Sequence, residues 1–342
     1  MDYYAGLDVS LEETSVCVVD GEGAVVHEVK VATEVEAIAE TLQRFARSLA
    51  RVGLEAGPLS PWLHGGLHGA GFAVICIETR HLKASLAAMR NKTDRNDARG
   101  MAQMMRLGWI RMVHVKSPES HALRLLLTNR KTLQRKATDI ENEIRGTLKA
   151  FGLKVGKVSQ RSFEKKVCEL IGDQPWLGEM VRPMLTARAV LLDQFTRLHR
   201  MMLDVVRRDE VCRRFMTIQG VGPVTALTYK TGVDVPERFA KSKNVGAHFG
   251  LTPRRFSSGE IDYQGHIGKC GDAMVRTALY EAANVVLTRT TRWSALKAWA
   301  MRIAKKRGLK RARVALARKL AVIMHRMWLD GSEFRWTDEA PA

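Results

Sequence analysis

The chain has 342 residues, of which 46% are hydrophobic and 27% charged, which excludes a disordered polymer and leaves room for two or three domains. Its formal charge of +19 and pI near 10.0 make nucleic acid the leading partner class, because a surface so basic attracts a polyanion and releases its counterions on binding. The five cysteines are odd in number and widely spaced, which argues against a disulfide framework or a zinc site and for a reducing compartment. No apolar run reaches membrane-spanning length, so a soluble, cytoplasmic protein is expected.

The charge is divided along the chain. Residues 1–100 hold ten Lys/Arg against fourteen Asp/Glu, whereas the remainder holds 45 against 22. An acidic first module therefore precedes basic ones.

In chain order, Tyr3–Asp8, Thr14–Val19 and Ala24–Val31 are predicted strands, rich in valine and punctuated by Asp20-Gly21. A helix over Thr33–Arg51 follows, with Thr33 as its N-cap and Val35, Ile38, Leu42 and Phe45 on one face. Then come a strand Val52–Leu54 ending in Glu55, a glycine-rich helix around Trp62–Ala70, a strand Ala73–Glu78 and a helix His81–Met89. This order predicts an α/β layer on a mixed sheet, in which sites form at the carboxyl ends of strands. Asp8 and Glu55 occupy such ends.

The stretch Asn91–Arg99 carries Asp94 and Asp97 three residues apart, one above the other on a helix face, amid Arg90, Lys92, Arg95 and Arg99. Each acid alone is most simply a cap or a solvated charge. Together, Asp8, Glu55, Asp94 and Asp97 have the composition that clamps one or two hard divalent cations for phosphoryl transfer.

From Ser117 to Phe151 the pattern is helical. Leu126, Leu133 and Ile140 repeat every seven residues, as do Ala137, Ile144 and Phe151, and a second long helix repeats Leu191, Phe195, Leu198, Met202 and Val205. Coiled-coil pairing, within one chain or between chains, is expected. Phe215–Leu227, with Gly220 and Gly222, has the spacing of a helix–hairpin–helix whose glycines either pack a turn or offer N–H groups to phosphate.

Gly250–Glu260 is predicted to be a polar loop with Arg254, Arg255, Ser257 and Ser258. The serines fit an ordinary turn, or a nucleophilic hydroxyl beside cations. Gly265–Asp272 forms a second glycine-rich loop, with Lys269 placed for phosphate, and opens a helix Ala273–Val286. Met301–Arg326, with ten Lys/Arg and no acid, reads as a basic amphipathic helix pair.

Gly6-Leu-Asp8-Val-Ser10, Leu54-Glu55-Ala-Gly-Pro58, Asn91–Arg99, Gly250-Leu-Thr-Pro253-Arg254 with Ser258-Gly259, and Gly265-His-Ile-x-Lys269-Cys-Gly-Asp272 occur in an order that resembles the DEDD insertion-sequence transposases, relatives of the pilin-gene invertases. The resemblance implies an RNase H-like (RuvC-like) catalytic domain over residues 1–112, a helical coiled-coil linker over 113–208, a mostly α-helical transposase domain over 209–330 and a tail over 331–342. It implies Mg²⁺, as one or two ions, on Asp8, Glu55, Asp94 and Asp97. It also implies a catalytic serine, best matched by Ser258 with Ser257 as runner-up, and nucleic-acid contacts from Lys92, Arg95, Arg99, Gly220, Gly222, Arg254, Arg255 and Lys269. Gly268 stands where the family often has Ser.

The implied activity is Mg²⁺-dependent cleavage and exchange of donor and target DNA through a serine–phosphate intermediate, directed by a structured guide RNA. The enzyme would be a homo-oligomer, dimer or tetramer, associated with the nucleoid, with half of each active site coming from the acidic module and half from the basic one. A RuvC-type Holliday-junction nuclease using water is the alternative. A sugar-kinase-like ATPase lacks a second α/β half here, and a packaging protein leaves the four carboxylates without purpose.

Overall fold

The computed structural model describes residues 2–87, 91–172 and 174–336; Met89, Arg90 and the tail beyond Trp336 lie outside these. The chain forms two compact units, residues 1–116 and 117–342.

In the first unit, β1 (Tyr3–Val9), β2 (Glu13–Val19) and β3 (Val25–Ala32) form an antiparallel meander. The Asp20 carboxylate accepts from the amides of Glu22 and Ala24, at 3.0 and 2.9 Å, and so builds the β2–β3 turn. Next come α1 (Val35–Gln43), β4 (Leu49–Glu55), α2 (Ser60–Gly69), β5 (Val74–Ile77), α3 (Thr79–Leu86) and α4 (Asp94–Leu107). The sheet order is β3-β2-β1-β4-β5, with β4 parallel to both β1 and β5. This is the expected α/β layer, and its order is that of an RNase H-like domain.

The predicted helix over Thr33–Arg51 is shorter than its periodicity suggested. It stops at Gln43, and Leu49–Arg51 become strand because Leu49 and Arg51 pair with Tyr3 and Tyr4 of β1. Tertiary pairing overrides local propensity there. Thr33 is not the N-cap. That position falls to Glu34, which makes no side-chain cap bond, while the Thr33 hydroxyl meets Thr14 Oγ1 at 2.8 Å and donates to the Ser10 carbonyl at 3.0 Å.

Alternation sorts the sheet's two faces. Ala5, Leu7, Val16, Val18, Val52 and Leu54 pack on Ile38, Leu42, Leu63 and Leu67 of α1 and α2. Opposite them, Cys17 and Val19 pack on Ala98 and Ala102 of α4.

In the second unit, α5 (Pro118–Lys149) is capped by Ser117, whose hydroxyl accepts from the Ser120 amide at 3.2 Å. It lies antiparallel to α7 (Pro175–Arg208): Arg130 donates to His199 at 3.0 Å near one end, and Arg188 to Glu141 at 2.7 Å further along. The pairing is thus within one chain. Ala137, Ile144 and Met202 of the heptad positions are buried, whereas Phe151 is half exposed, edge-on to Trp176. Helix α6 (Phe163–Ile171) closes the far end with Ile144, Leu148, Leu177, Val181 and Leu185.

At the near end, Leu127, Met202 and Val206 enter one core with α8 (Glu210–Phe215), α9 (Pro223–Val233), α10 (Lys243–His248), α11 (Ala273–Thr288), α12 (Ala295–Arg307) and α13 (Leu309–Asp330). Buried Tyr229 donates to the Ala321 carbonyl at 2.6 Å. A two-stranded hairpin, β6 (Pro253–Ser258) and β7 (Ile261–Ile267), projects from this core. Among the described residues no helix is long and apolar enough to cross a membrane.

Candidate active site

Residues i and i+2 of a strand share a face. Gly6 and Asp8 of β1, and Gly53 and Glu55 of β4, therefore face α4. A side chain at Gly6 would lie 2.1 Å from the Ala98 carbonyl oxygen and 2.5 Å from the Ala102 amide, so the helix backbone rests directly on this glycine. At Gly53 the space is taken by the flexible Met105 side chain, 2.9 Å away. These two glycines let α4 settle onto the strand ends, bringing its first turn beside Asp8 and Glu55. Thr93 caps that turn by accepting from the Asn96 amide at 3.2 Å, and Asp94 and Asp97 lie in it, where the helix dipole favours negative charge.

The electrostatics register the convergence of all four acids. The Asp8 carboxyl is raised from 3.8 to about 6, first by burial and then by the negative charges of Asp97, Asp94 and Glu55, with Lys92 pulling the other way. Such repulsion is what a bound divalent cation relieves, and an all-oxygen donor set suits a hard ion. Among the described residues, no three His, Cys or carboxylate groups are drawn into a finished cage. Instead the Lys30 ammonium of β3 lies 3.1 Å from Asp94 and 4.0 Å from Glu13.

Of the basic residues expected to contact nucleic acid, Arg95 and Arg99 both turn to Glu28 of β3. Arg95 hydrogen-bonds it closely, and Arg99 Nη2 lies 3.3 Å from each carboxylate oxygen. The bond from Arg95 is the main reason the Glu28 carboxyl sits below its usual range. These arginines pin α4 to the sheet edge beside the acids. Lys92 is exposed near Asp8.

In the second unit, Ser257 and Ser258 lie on a strand, which corrects the predicted polar loop. The hairpin turns at Gly259, whose φ of +56° is readily adopted only by glycine. Both its faces are exposed, so the alternation of Phe256, Ile261 and Tyr263 with polar neighbours faces no core and did not announce the strands. Its register separates the two serines. Ser257 is paired with Asp262, on the face where Arg255 makes a two-pronged ion pair to Asp262 at 2.8 and 2.7 Å. Ser258 is paired with Ile261, on the face that carries Phe256 and Tyr263.

The hairpin's base is firmly held. Arg276 of α11 donates to the carbonyls of Phe249 and Cys270 at 3.1 and 2.8 Å, and the Gly268 and Lys269 amides donate to Thr252 and Gly250. Gly250 and Gly271, both at φ +65°, pack against Cys270 and His248 backbone that would meet any added side chain within 2.4 Å. Lys269 itself has φ +54°, a strained value for a lysine. Arg254 reaches back to the Gly268 carbonyl at 3.4 Å.

The glycines before α9 divide in role. Gly220, at φ +84°, packs against the Ala282 carbonyl of α11, 2.8 Å from any added side chain. Gly222 is the N-cap of α9, with open space beside it.

A five-stranded sheet in this order, with Asp, Glu, Asp and Asp gathered on one face and a basic helical unit following, defines a RuvC-like DEDD transposase. Residues 5–152 match the DEDD transposase family of the IS110 type, and residues 212–300 match the transposase family IS116/IS110/IS902. The chain belongs to the IS110 family of insertion-sequence transposases. It is 29% identical to the transposase for insertion sequence element IS1111A of Coxiella burnetii, over 93% of this chain and 87% of that protein. It is 25% identical to the transposase for element IS1328 of Yersinia enterocolitica, over 58% and 60% of the two chains. Among solved structures, RuvC of Thermus thermophilus aligns over 32% of this chain and 99% of its own, at 19% identity and a TM-score of 0.26.

Glu28, Lys30 and the glycines Gly6 and Gly53 were missed from the sequence. A glycine inside a valine-rich strand signals close backbone approach, and that signal was available. Nothing local marks Glu28 or Lys30, whose partners on α4 are more than 60 residues away.

Proposed function

We propose that this transposase cuts and exchanges DNA strands through a phosphoserine link formed by Ser258. The observation that carries the reading is the set of four carboxylates around Asp8, whose carboxyl is raised to about 6 by burial and then by the negative charges of the other three. Asp8, Glu55, Asp94 and Asp97 would hold one or two Mg²⁺ ions, which supply neutralisation of the charge that builds on a reacting phosphate. The Ser258 oxygen attacks phosphorus, its proton leaves, the bond to the departing sugar oxygen breaks, and that oxygen takes up a proton. Attack by another strand's hydroxyl then reverses these steps and releases the serine, so there is no net hydrolysis.

Donor and target DNA are the substrates. Residues 117–342 carry 42 Lys/Arg against 22 Asp/Glu, which suits backbone binding. Arg254, Lys269, Lys92 and the amides beyond Gly222 are the proposed phosphate contacts; Arg255, paired with Asp262, would have to exchange that partner for phosphate. A structured guide RNA, and assembly as a dimer or tetramer, are part of the same reading and rest on the family resemblance.

The test is covalent trapping. With Mg²⁺ and element-end DNA, the wild-type chain should give a protein–DNA adduct resistant to denaturant, and Ser258→Ala should give none while binding DNA normally. Adducts persisting in Ser258→Ala and vanishing in Ser257→Ala would transfer the role to Ser257. Cleaved DNA with no adduct in any variant would favour water as the nucleophile.

A further inference from the structure

The face of the hairpin that carries Ser258 holds a feature the reaction above does not use. Phe256 and Tyr263, cross-strand partners, stack with centroids 5.0 Å apart and ring planes 19° from parallel. The Phe256 ring lies over Gly265, where a side chain would come within 3.0 Å of it, so the glycine keeps the ring flat against the strand. Phe256, Tyr263 and Ile261 are nevertheless 45, 56 and 62% exposed. Aromatic and branched side chains left this open on a rigidly based hairpin do little for the core.

We infer that Phe256 and Tyr263 form a stacking platform for an unpaired DNA base next to the phosphate that Ser258 attacks. This rests on the reading of Ser258 as nucleophile. Phe256 and Ser258 are two residues apart on one strand face, about 6.6 Å at 3.3 Å per residue, the scale of one nucleotide in an extended strand. A base laid on the rings would thus leave its flanking phosphate at the hydroxyl. The opposite face, with its Arg255–Asp262 pair, offers neither ring nor hydroxyl-adjacent stack. The excess positive charge of the surrounding unit favours a polyanion over an apolar protein partner. Stacking tolerates any base, since every base has a π-face; the platform would therefore position a strand without choosing its sequence. A cross-strand aromatic pair also stabilises a hairpin, so the decisive readout must see the base itself.

The experiment uses the full chain and a short single strand containing 2-aminopurine, whose fluorescence falls when it stacks. The wild-type protein should quench the probe. The double variant Phe256→Leu/Tyr263→Leu should lose the quenching and bind the single strand about tenfold or more weakly, with affinity for the matching duplex unchanged within about twofold. Hydrogen exchange over residues 253–267 checks that the hairpin persists. The second variant, Phe256→Trp, keeps a ring and should keep the quenching even if the leucine variant loosens the hairpin. Quenching that survives in the leucine variant, or a folded Phe256→Trp variant that does not quench, overturns the platform. So does a shift of the leucine variant to a smaller species in sedimentation, because the rings would then serve contact with a second copy. Ser258→Ala should quench like wild type. If it does but still forms adducts, the nucleophile assignment falls and the platform stands.

Discussion

Gly6 and Ala98 are in direct register: a Cβ on the glycine would sit 2.1 Å from the carbonyl oxygen of the alanine. This contact fixes the height of α4 above β1. Asp8 lies two residues beyond Gly6 and Asp97 one residue before Ala98, so the same contact sets the approach of two of the four acids. Packing and chemistry are thereby coupled through a residue that has no side chain.

Gly6→Ala should consequently cost about 3 kcal/mol of stability in the first unit, at the upper end for overpacking, because backbone rather than a flexible side chain must yield. Gly53→Ala, whose new methyl has the flexible Met105 side chain as its nearest neighbour, should cost about 1 kcal/mol. Chemical denaturation of the two variants measures the difference. Equal losses at both sites would show that the helix can shift freely, and would remove the coupling just described.

The raised Asp8 carboxyl gives a pH dependence of definite sign. Below pH 3.8 the group is protonated in folded and unfolded chains alike, and its favourable contribution is complete. Between 3.8 and about 6 the folded state holds the proton more tightly, so that contribution fades as pH rises and is gone above about 6. Fully buried, the displacement would be worth roughly 3 kcal/mol; at half burial, solvent screening brings it to about 1–2 kcal/mol. In metal-free buffer, Asp8→Asn should be more stable than wild type by that amount at pH 7.5 and indistinguishable at pH 3.5. Thermal unfolding across the range checks it, and a variant less stable at pH 7.5 contradicts the repulsion.

Lys30 lies 3.1 Å from Asp94, one of the carboxylates proposed to hold a cation. Removing its charge by Lys30→Met should tighten divalent-ion binding. Both partners are half exposed, so the ion pair is worth no more than about 1 kcal/mol, and the gain should not exceed about fivefold. Titration calorimetry with Mn²⁺ is the measurement. Weaker binding in Lys30→Met would mean that the lysine orients Asp94 as a ligand rather than competing for it.

How far the sequence disclosed this architecture depended on the range of the interactions involved. The valine-rich meander and the helix over Ser117–Phe151 have strong periods, and their limits fell within a few residues of the structure. The region after Gln43 did not, because Leu49–Arg51 are strand only by pairing with β1. The hairpin bearing Ser258 was invisible as strand because neither of its faces is buried, so the alternation that marks a strand had no core to point at. The acids were legible as a set because strand ends and one helix turn confined them; the Glu28 clamp was not, since it joins residues 67 and 71 apart in the chain.

Arg276 is the last element whose loss should be specific. Its guanidinium supplies two hydrogen bonds, to Phe249 and Cys270, that tie both ends of the hairpin's base to α11. A charged donor to a partly buried carbonyl is worth about 1.5–3 kcal/mol, and its removal leaves those carbonyls unsatisfied. Arg276→Met keeps the aliphatic stem, so the helix should remain folded while the hairpin loosens. Hydrogen exchange should accelerate over residues 250–271 by at least about tenfold, with α9 and α13 protected as in wild type. Protection lost uniformly across the second unit would instead make Arg276 a support of the whole core and not of the hairpin.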